Sequence, residues 1–533
     1  MNEAIIRTED IDPKEIQHYF VETEKDREII NLLKGKQPLL VVGSRGTGKT
    51  MLLRMAEQEL LSNYDKDKVL PVFVNLVTCN IYDKKNILKV LVSRTLRALQ
   101  QGLKAQGIIL TGSIFKPVTN VTTNPIVIRL EEYINESNTE GNESEGYSID
   151  NEQIKEDVDQ LIVFLNELCS EFKIKRINFL FDEACQVFQP THQRVFFEFF
   201  RALRNYQITC KAAVYPGIVT YGSFQKFHDV TEIRIQRSIT DSDYIEKMRQ
   251  VVQKHYPEDY KVFEQQGELL NSIIYASTGN PRFLLKSINE IITGQGKFKS
   301  TNINNKIKEF YGTTIWSEHT KLSEMYSGHT DMIDWSRIFI EDTVLSDIEE
   351  INNNTNTKTT IYFCISRNAP AVIQQSIKTL EYSGILSLHT EGTKYRREMF
   401  DRYEINLGVV VLHEKQVNIQ QRIKEIIDNI SIKVFPNYGK NSLSYGDYSS
   451  LTDISHFEAD SNEVISHICE QDISSLDISY SMQKRLKDHG LNTIGQVLAK
   501  SETELRQIPY IGYVRSRRIN NLVYNAILEY ISG

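Results

Sequence analysis

Two hydrophobic periods alternate along the first 240 residues. Residues 12–36 carry charges at helical spacing, and Pro38 to Val42 (PLLVV) is a short apolar run ending at a glycine, as in a buried strand. From Lys49 the segment KTMLLRMAEQELL spaces its apolar residues as a helix does. A strand is predicted at Val69 to Val77, a helix from about 85 to 103, and a helix over Ile154 to Phe172. A strand at 177–181 (INFLF), a helix near 192–205 and strands at Ile208 to Tyr215 and Thr231 to Ile235 complete the series. Helix and strand alternating in this way predict an α/β fold, a parallel sheet covered by helices. Residues 111–152 break the pattern. They are rich in Asn, Thr, Ser, Gly and Glu, have little apolar surface to bury, and are expected to be a partly ordered insertion.

Beyond Ser238 the pattern is helical to about residue 345, and the polar run NNNTNTKTT (352–360) marks a boundary. Residues 361–413 read as helix, helix and hairpin, 430–462 lose periodicity, and 472–531 are again strongly helical. The predicted domains are 1–237, a helical segment 238–350, a compact module 351–415, a linker 416–471 and a final helical module 472–533.

Composition narrows the partners. With 62 Lys+Arg against 70 Asp+Glu, the net charge of −8 excludes a uniformly basic nucleic-acid binder but not a local basic face. Cysteines 79, 169, 185, 210, 364 and 469 form no C-x-x-C pair, so neither a disulfide framework nor a zinc ribbon is expected. No apolar run reaches the roughly 18–20 residues of a membrane span. The N-terminus lacks a basic-then-apolar signal pattern. The expected location is the cytoplasm.

The strongest chemical signal is Gly43-Ser44-Arg45-Gly46-Thr47-Gly48-Lys49-Thr50, which fits G-x-x-x-x-G-K-[ST] between a strand and a helix. Glycines let consecutive N–H groups curl around phosphate oxygens, and the helix adds the positive end of its dipole. Lys49 is expected to reach the β- and γ-phosphates of ATP, and the Thr50 hydroxyl to ligate Mg²⁺. The strand Ile177 to Phe181 ends in Asp182-Glu183. Such a strand end is often just solvated acid, but downstream of a P-loop it fits a Walker B element. Asp182 then holds Mg²⁺ and Glu183 orients the attacking water. Lys49 and Asp182 are 182 − 49 = 133 residues apart, a long interval that the polar insertion explains. A third element, Gly279-Asn280-Pro281-Arg282, precedes FLLKSINEII. Asn280 is a natural N-cap with Pro281 at N1. Arg282, on the first turn of that helix, would touch the γ-phosphate from a lid.

Together these motifs resemble AAA+ ATPases, most closely the origin-recognition and replication-licensing branch, over roughly residues 12–413. They overlap with STAND-type signalling ATPases. The resemblance implies a P-loop AAA+ sheet with a helical lid, followed by a winged helix at 361–413, and a homo-oligomer. The strand near 208–215 ends in Val214-Tyr215-Pro216-Gly217 without the usual sensor Asn or Thr. No arginine lies between Pro216 and Val230, where a trans-acting finger is expected; Arg201, Arg204, Arg234 and Arg237 are the replacements. Slow, switch-like hydrolysis is therefore the expectation.

In the winged-helix segment, Ala371 to Ser383 is the predicted helix, and the hairpin that follows carries Glu391-Gly392 at its expected tip. Lys394, Arg396 and Arg397 are candidate phosphate contacts, diluted by acids: four basic against three acidic in 390–402. The last segment resembles the C-terminal domain of the bacterial RNA polymerase α subunit, a helix-hairpin-helix fold. The matches are Leu476, Ser479, Leu486-Lys487, Gly490 to Ile494, Ser501 to Leu505 and Ile508-Pro509-Tyr510-Ile511-Gly512. Gly512 is expected to make the tight turn whose N–H groups hold a phosphate. The family's minor-groove arginine is Ser481 here, and its two lysines after the hairpin glycine are Tyr513 and Val514. Arg515, Arg517 and Arg518 are the substitutes. The expected function is an ATP-controlled switch for binding double-stranded DNA, of initiator, loader or target-selector type. The alternative is a STAND-like regulatory or antiviral-defence ATPase acting through a protein partner encoded nearby.

Overall fold

A computed structural model describes residues 8–77, 87–108, 151–184, 190–217, 219, 221, 229–293, 300–325, 330–354, 358–395, 398–414, 418–446, 448 and 468–531. The expected insertion lies outside these except for its last two residues, and Arg396 and Arg397 lie outside them altogether. Among the described residues no helix is long and apolar enough to cross a membrane. The chain divides into two compact units, Ile5–Tyr215 with Val219–Gln236, and Arg237–Gly533 with Pro216–Ile218.

The first unit is built on five parallel strands: β1 (Leu39–Val42), β2 (Val69–Asn75), β3 (Arg176–Asp182), β4 (Ile208–Val214) and β5 (Thr231–Arg234). Their order is β2-β3-β4-β1-β5. β1, β3 and β4 are buried at every position, as expected of strands covered on both faces. Successive residues serve opposite cores. Leu39, Val41, Leu180 and Ala213 pack with α1 (Glu24–Lys34) and α2 (Lys49–Ser62). Leu40, Val42, Phe179, Phe181 and Val214 pack with α3 (Ile87–Ala105), α4 (Asn151–Glu171) and α5 (Pro190–Ala202). This two-sided alternation fixes the register, because a one-residue slip would exchange the faces. α1 starts at a capping box, Thr23 with Asp26.

The second unit opens with α6 (Tyr244–His255), α7 (Gly267–Ala276) and α8 (Pro281–Thr293). Helical segments from Ser300 to Asn354 follow, interrupted by π-turns at Phe310–Thr314 and Phe339–Val344. The winged-helix module is β6 (Tyr362–Ser366), α9 (Ala371–Ser383), β7 (Leu386–Tyr395), β8 (Glu398–Ile405) and α10 (Leu407–His413).

Three expectations change here. The first element of the module is a fully buried central strand, not a helix, since the aromatic run YFCIS suits a sheet covered on both faces. Glu391 and Gly392 lie within β7 rather than at the hairpin tip. Two register shifts between Leu388 and Thr393 absorb them, and the Gly392 N–H donates to Asp401 at 2.9 Å with φ 66°. The start of the expected linker is folded. α11 (Ile419–Asn429) buries Ile419, Ile423 and Ile426, one face at helical spacing, and β9 (Asn437–Tyr438) pairs parallel with β6.

The C-terminal module holds α12 (Tyr480–Asp488), α13 (Ile494–Leu498), α14 (Glu502–Leu505) and α15 (Tyr513–Ile531). Capping boxes at Thr493/Gln496 and Ser501/Glu504 start the short helices. Leu486, Val497, Leu505, Ile508, Ile519 and Val523 form their own core.

Candidate nucleotide site

β1 runs straight into the glycine loop, and the Gly43 N–H donates to the Val214 carbonyl of β4 at 3.3 Å. A side chain at Gly43 would stand 2.5 Å from Thr47 Oγ1, so only glycine fits. Gly46 and Gly48 have φ of 87° and 97°, a curl that L side chains resist. Thr47 Oγ1 donates to the Ser44 carbonyl at 2.9 Å, bracing the loop from inside, while Arg45 is exposed at its rim. Gly48 is the N-cap of α2 and brings no side chain to the first N–H groups, which leaves them for an anion.

Lys49 and Thr50 begin α2. Lys49 is buried, and its Nζ donates to the carbonyls of Gly43 at 2.8 Å and Ser44 at 3.0 Å. The ammonium also lies 3.8 Å from the ring centroid of Tyr215, a cation–π contact. Asp182 ends β3 beside β2 and is 2 % exposed. It accepts a hydrogen bond from the Thr50 side chain, yet its Oδ1 has no partner. Burial, reinforced by neighbouring Glu183, raises its pKa well above the usual carboxylate range. A buried, under-satisfied carboxylate beside a hydroxyl at the mouth of a phosphate loop is a donor set that fits Mg²⁺.

Glu183 has φ of 57°, a left-handed conformation that costs a non-glycine residue about 1–3 kcal/mol. Its two carboxylate oxygens each lie 2.8 Å from Tyr215 Oη, which donates to them. Tyr215 is therefore a site residue that motif reading passed over. The available signal was its position, directly after β4 on the strand next to β1. None of the proposed replacement finger arginines of this unit projects without a local partner. Arg201 pairs with Glu198, Arg204 donates to the Asp229 carbonyl, and Arg234 pairs with Glu232 at 3.3 Å.

In the second unit the expected cap is present. Asn280 Oδ1 accepts from the N–H groups of Arg282 at 3.1 Å and Phe283 at 3.3 Å. Gly279 has φ of 73°, and a Cβ there would meet the Arg237 carbonyl at 2.4 Å. The lid turn is also bound to the winged-helix module, because the Leu407 N–H donates to Thr278 Oγ1 at 2.7 Å.

The DNA candidates separate. Lys394, Arg515 and Arg518 are exposed. Arg517 is not a surface contact: it is 8 % exposed, pairs with Glu502, and donates to the carbonyls of Asn368 and Lys440 and to Asn441. Its guanidinium joins α14, α15 and the winged-helix module. The left-handed residue of the hairpin is Tyr510, with φ of 68°, not Gly512, around which the space is open. Arg515 donates to the Tyr510 carbonyl at 2.6 Å, and Arg485 stacks on its ring at 4.4 Å. The predicted helix of the winged-helix segment, α9, buries nine of its 13 residues. The helix Thr330–Ile338 and α15 pack against it, and Asn521 accepts from the Ala371 N–H at its start.

A buried strand closing through a glycine loop onto a helix, with Asp182 and Glu183 delivered beside it from a parallel sheet, has the architecture of a P-loop nucleotide-binding fold. Its N-terminal part is similar to origin-recognition proteins: residues 4–89 match the ORC-CDC6-like family model. Comparison with curated proteins found no match. Among solved structures, the Aeropyrum pernix ORC1 protein in complex with DNA is similar at 10 % identity and a TM-score of 0.32, over 76 % of this chain and 94 % of that one. The Aeropyrum pernix ORC2 protein in its ADPNP-ADP complexes gives 9 % and 0.33, over 76 % and 93 %.

Proposed function

We propose that this chain is an ATP-binding and slowly hydrolysing switch that controls contact with double-stranded DNA. The observation that carries the reading is Asp182, buried with one oxygen unsatisfied beside Thr50 at the P-loop. The loop N–H groups of Ser44 to Gly48 and the start of α2 would cradle the phosphates, and Lys49 would exchange its loop carbonyls for phosphate oxygens. Thr50 and Asp182 would hold Mg²⁺, which when bound offsets the phosphate charge. Glu183, aimed by Tyr215, would orient the attacking water.

Arg282 would sense the γ-phosphate. The bond from Leu407 to Thr278 supports a lid that carries the winged-helix module with it. DNA would then meet Lys394 and the wing residues Arg396 and Arg397, together with Arg515 and Arg518 beside the Gly512 turn. The likeness of the last module to the RNA polymerase α C-terminal domain belongs to this proposal.

A second reading is favoured by one feature: α9 is largely buried, so it cannot enter a groove as it stands. That suits a STAND-like regulatory or defence ATPase working through a protein partner. ATP turnover measured with and without double-stranded DNA separates the two, with Glu183→Gln as control. Turnover stimulated by DNA and lost in the variant supports the DNA switch. Turnover indifferent to DNA, with no salt-sensitive DNA binding, moves the assignment to the protein-partnered reading.

A further inference from the structure

The edge of the first unit's sheet where the strands begin, away from the P-loop, carries its own concentration of positive charge. Arg176 opens β3 and is 7 % exposed. Its Nη2 donates to the Lys34 carbonyl at 2.7 Å, while Nε has no acceptor. Burial depresses its pKa, and no carboxylate offsets that effect. On the next strand Lys211 is wholly buried and donates to the Gln37 carbonyl. Burial and Arg176 push Lys211 down to about 7.

A lysine can shed its proton in such a place, but an arginine cannot, so Arg176 is a fixed buried charge. The carbonyl end of α1 faces it with a partial charge of about half a unit, which offsets the guanidinium incompletely. A buried cation without a carboxylate is costly, and an anion from solution would relieve it.

Arg176 lines a cavity of about 650 Å³ with Lys34, Lys36, Lys175 and Tyr206. Its acidic lining residues are Glu59 and Asp67, and Glu59 is already held by Lys34 and Arg27, each at 2.6 Å. Lys36 and Lys175 are exposed and make no ion pair among the described residues. The volume lies within the roughly 300–1,000 Å³ of small-molecule sites. Beyond Tyr206 and Gln207 a neighbouring groove bears Glu167 and Glu171, which would repel an anion and confine it to the basic side.

We infer that this cavity is a second ligand site, for a small phosphate-bearing anion held by Arg176 with Lys36 and Lys175. It is separate from the P-loop and does not depend on ATP hydrolysis. Tyr206, 82 % exposed on the cavity wall, offers a ring face to a nucleotide base if the phosphate arrives on one.

The test uses the full chain carrying Lys49→Ala, so that the P-loop is silenced, and titrates pyrophosphate and AMP by calorimetry. Lys36→Glu with Lys175→Glu changes only exposed residues and should weaken binding by tenfold or more, which is about 1.4 kcal/mol per decade. AMP binding that falls with Tyr206→Ala assigns a nucleotide, and pyrophosphate binding indifferent to Tyr206→Ala assigns the phosphate alone; either supports the site. Binding of neither probe, or binding untouched by the double charge reversal, overturns it. Fluorescent ATP binding to the chain with native Lys49 is read separately, so a failed P-loop assignment is not mistaken for a failed second site.

Discussion

The nucleotide cradle and the C-terminal hairpin share a plan, a turn leading into a helix with basic residues just inside it. They differ in who decides what those basic residues do. In the cradle, Lys49 is held by carbonyls of its own loop, Gly43 and Ser44, so eight consecutive residues contain the device. In the hairpin, Arg515, Arg517 and Arg518 sit within four positions and part ways. Arg515 and Arg518 are exposed, while Arg517 is spent on Glu502 and on backbone of the winged-helix module. A local motif carries its function with it; a cluster of arginines acquires one from the neighbours it is packed against.

The largest effect should come from the cradle. Lys49→Ala removes the cation proposed to meet the phosphates and should lower ATP affinity by about a thousandfold, roughly 4 kcal/mol. Calorimetry with ATP and Mg²⁺ reads this directly. Affinity within tenfold of the native chain would mean that nucleotide, if bound, sits elsewhere.

The hairpin arginines should split in kind as well as size. Arg517→Ala takes one of its partners from the partly buried Glu502 and leaves the carbonyls of Asn368 and Lys440 and the Asn441 side chain without this donor, and should cost about 2–3 kcal/mol of stability, read as a lower denaturant midpoint. Arg515→Ala with Arg518→Ala should leave that midpoint in place. It should weaken duplex DNA binding about tenfold and reduce the salt slope by roughly two. If the exposed pair changes stability while Arg517→Ala changes only the DNA salt slope, the division drawn here is reversed.

What was legible in the sequence follows the same line. The glycine loop, Asp182-Glu183, each strand of the parallel sheet and the Asn280 cap are written in contiguous residues, and each appears at its place. Tyr215 was not legible as a site residue, because its hydroxyl meets Glu183 only through the pairing of β3 with β4. The buried strand β6 was read as helix because a short apolar run has no period of its own. The linker expectation failed where polar residues dilute the stripe Ile419, Ile423, Ile426. Arg517 could have been separated from its neighbours by helix geometry. Arg515 and Arg518 are three apart and share a face, whereas Arg517 lies next to the buried Ser516 and Ile519 stripe. Burial of α9 could not have been read from its own sequence, because the partners that cover it, Thr330–Ile338 and α15, are remote in the chain.

The finest test of the comparison returns to Tyr215, where the cradle does depend on a residue outside its motif. Tyr215→Phe keeps the ring beneath Lys49 and deletes only the hydroxyl that meets both oxygens of Glu183. If that hydroxyl aims the carboxylate, kcat should fall by about three- to tenfold, some 0.7–1.4 kcal/mol in the barrier, with KM and ATP affinity unchanged. Tyr215→Leu removes the ring as well, and should shift KM in addition, because the face that steadies the Lys49 ammonium is gone. A Phe variant that changes KM and leaves kcat alone would show the ring and hydroxyl acting only on nucleotide binding. Glu183 would then owe its left-handed backbone to the strand end alone.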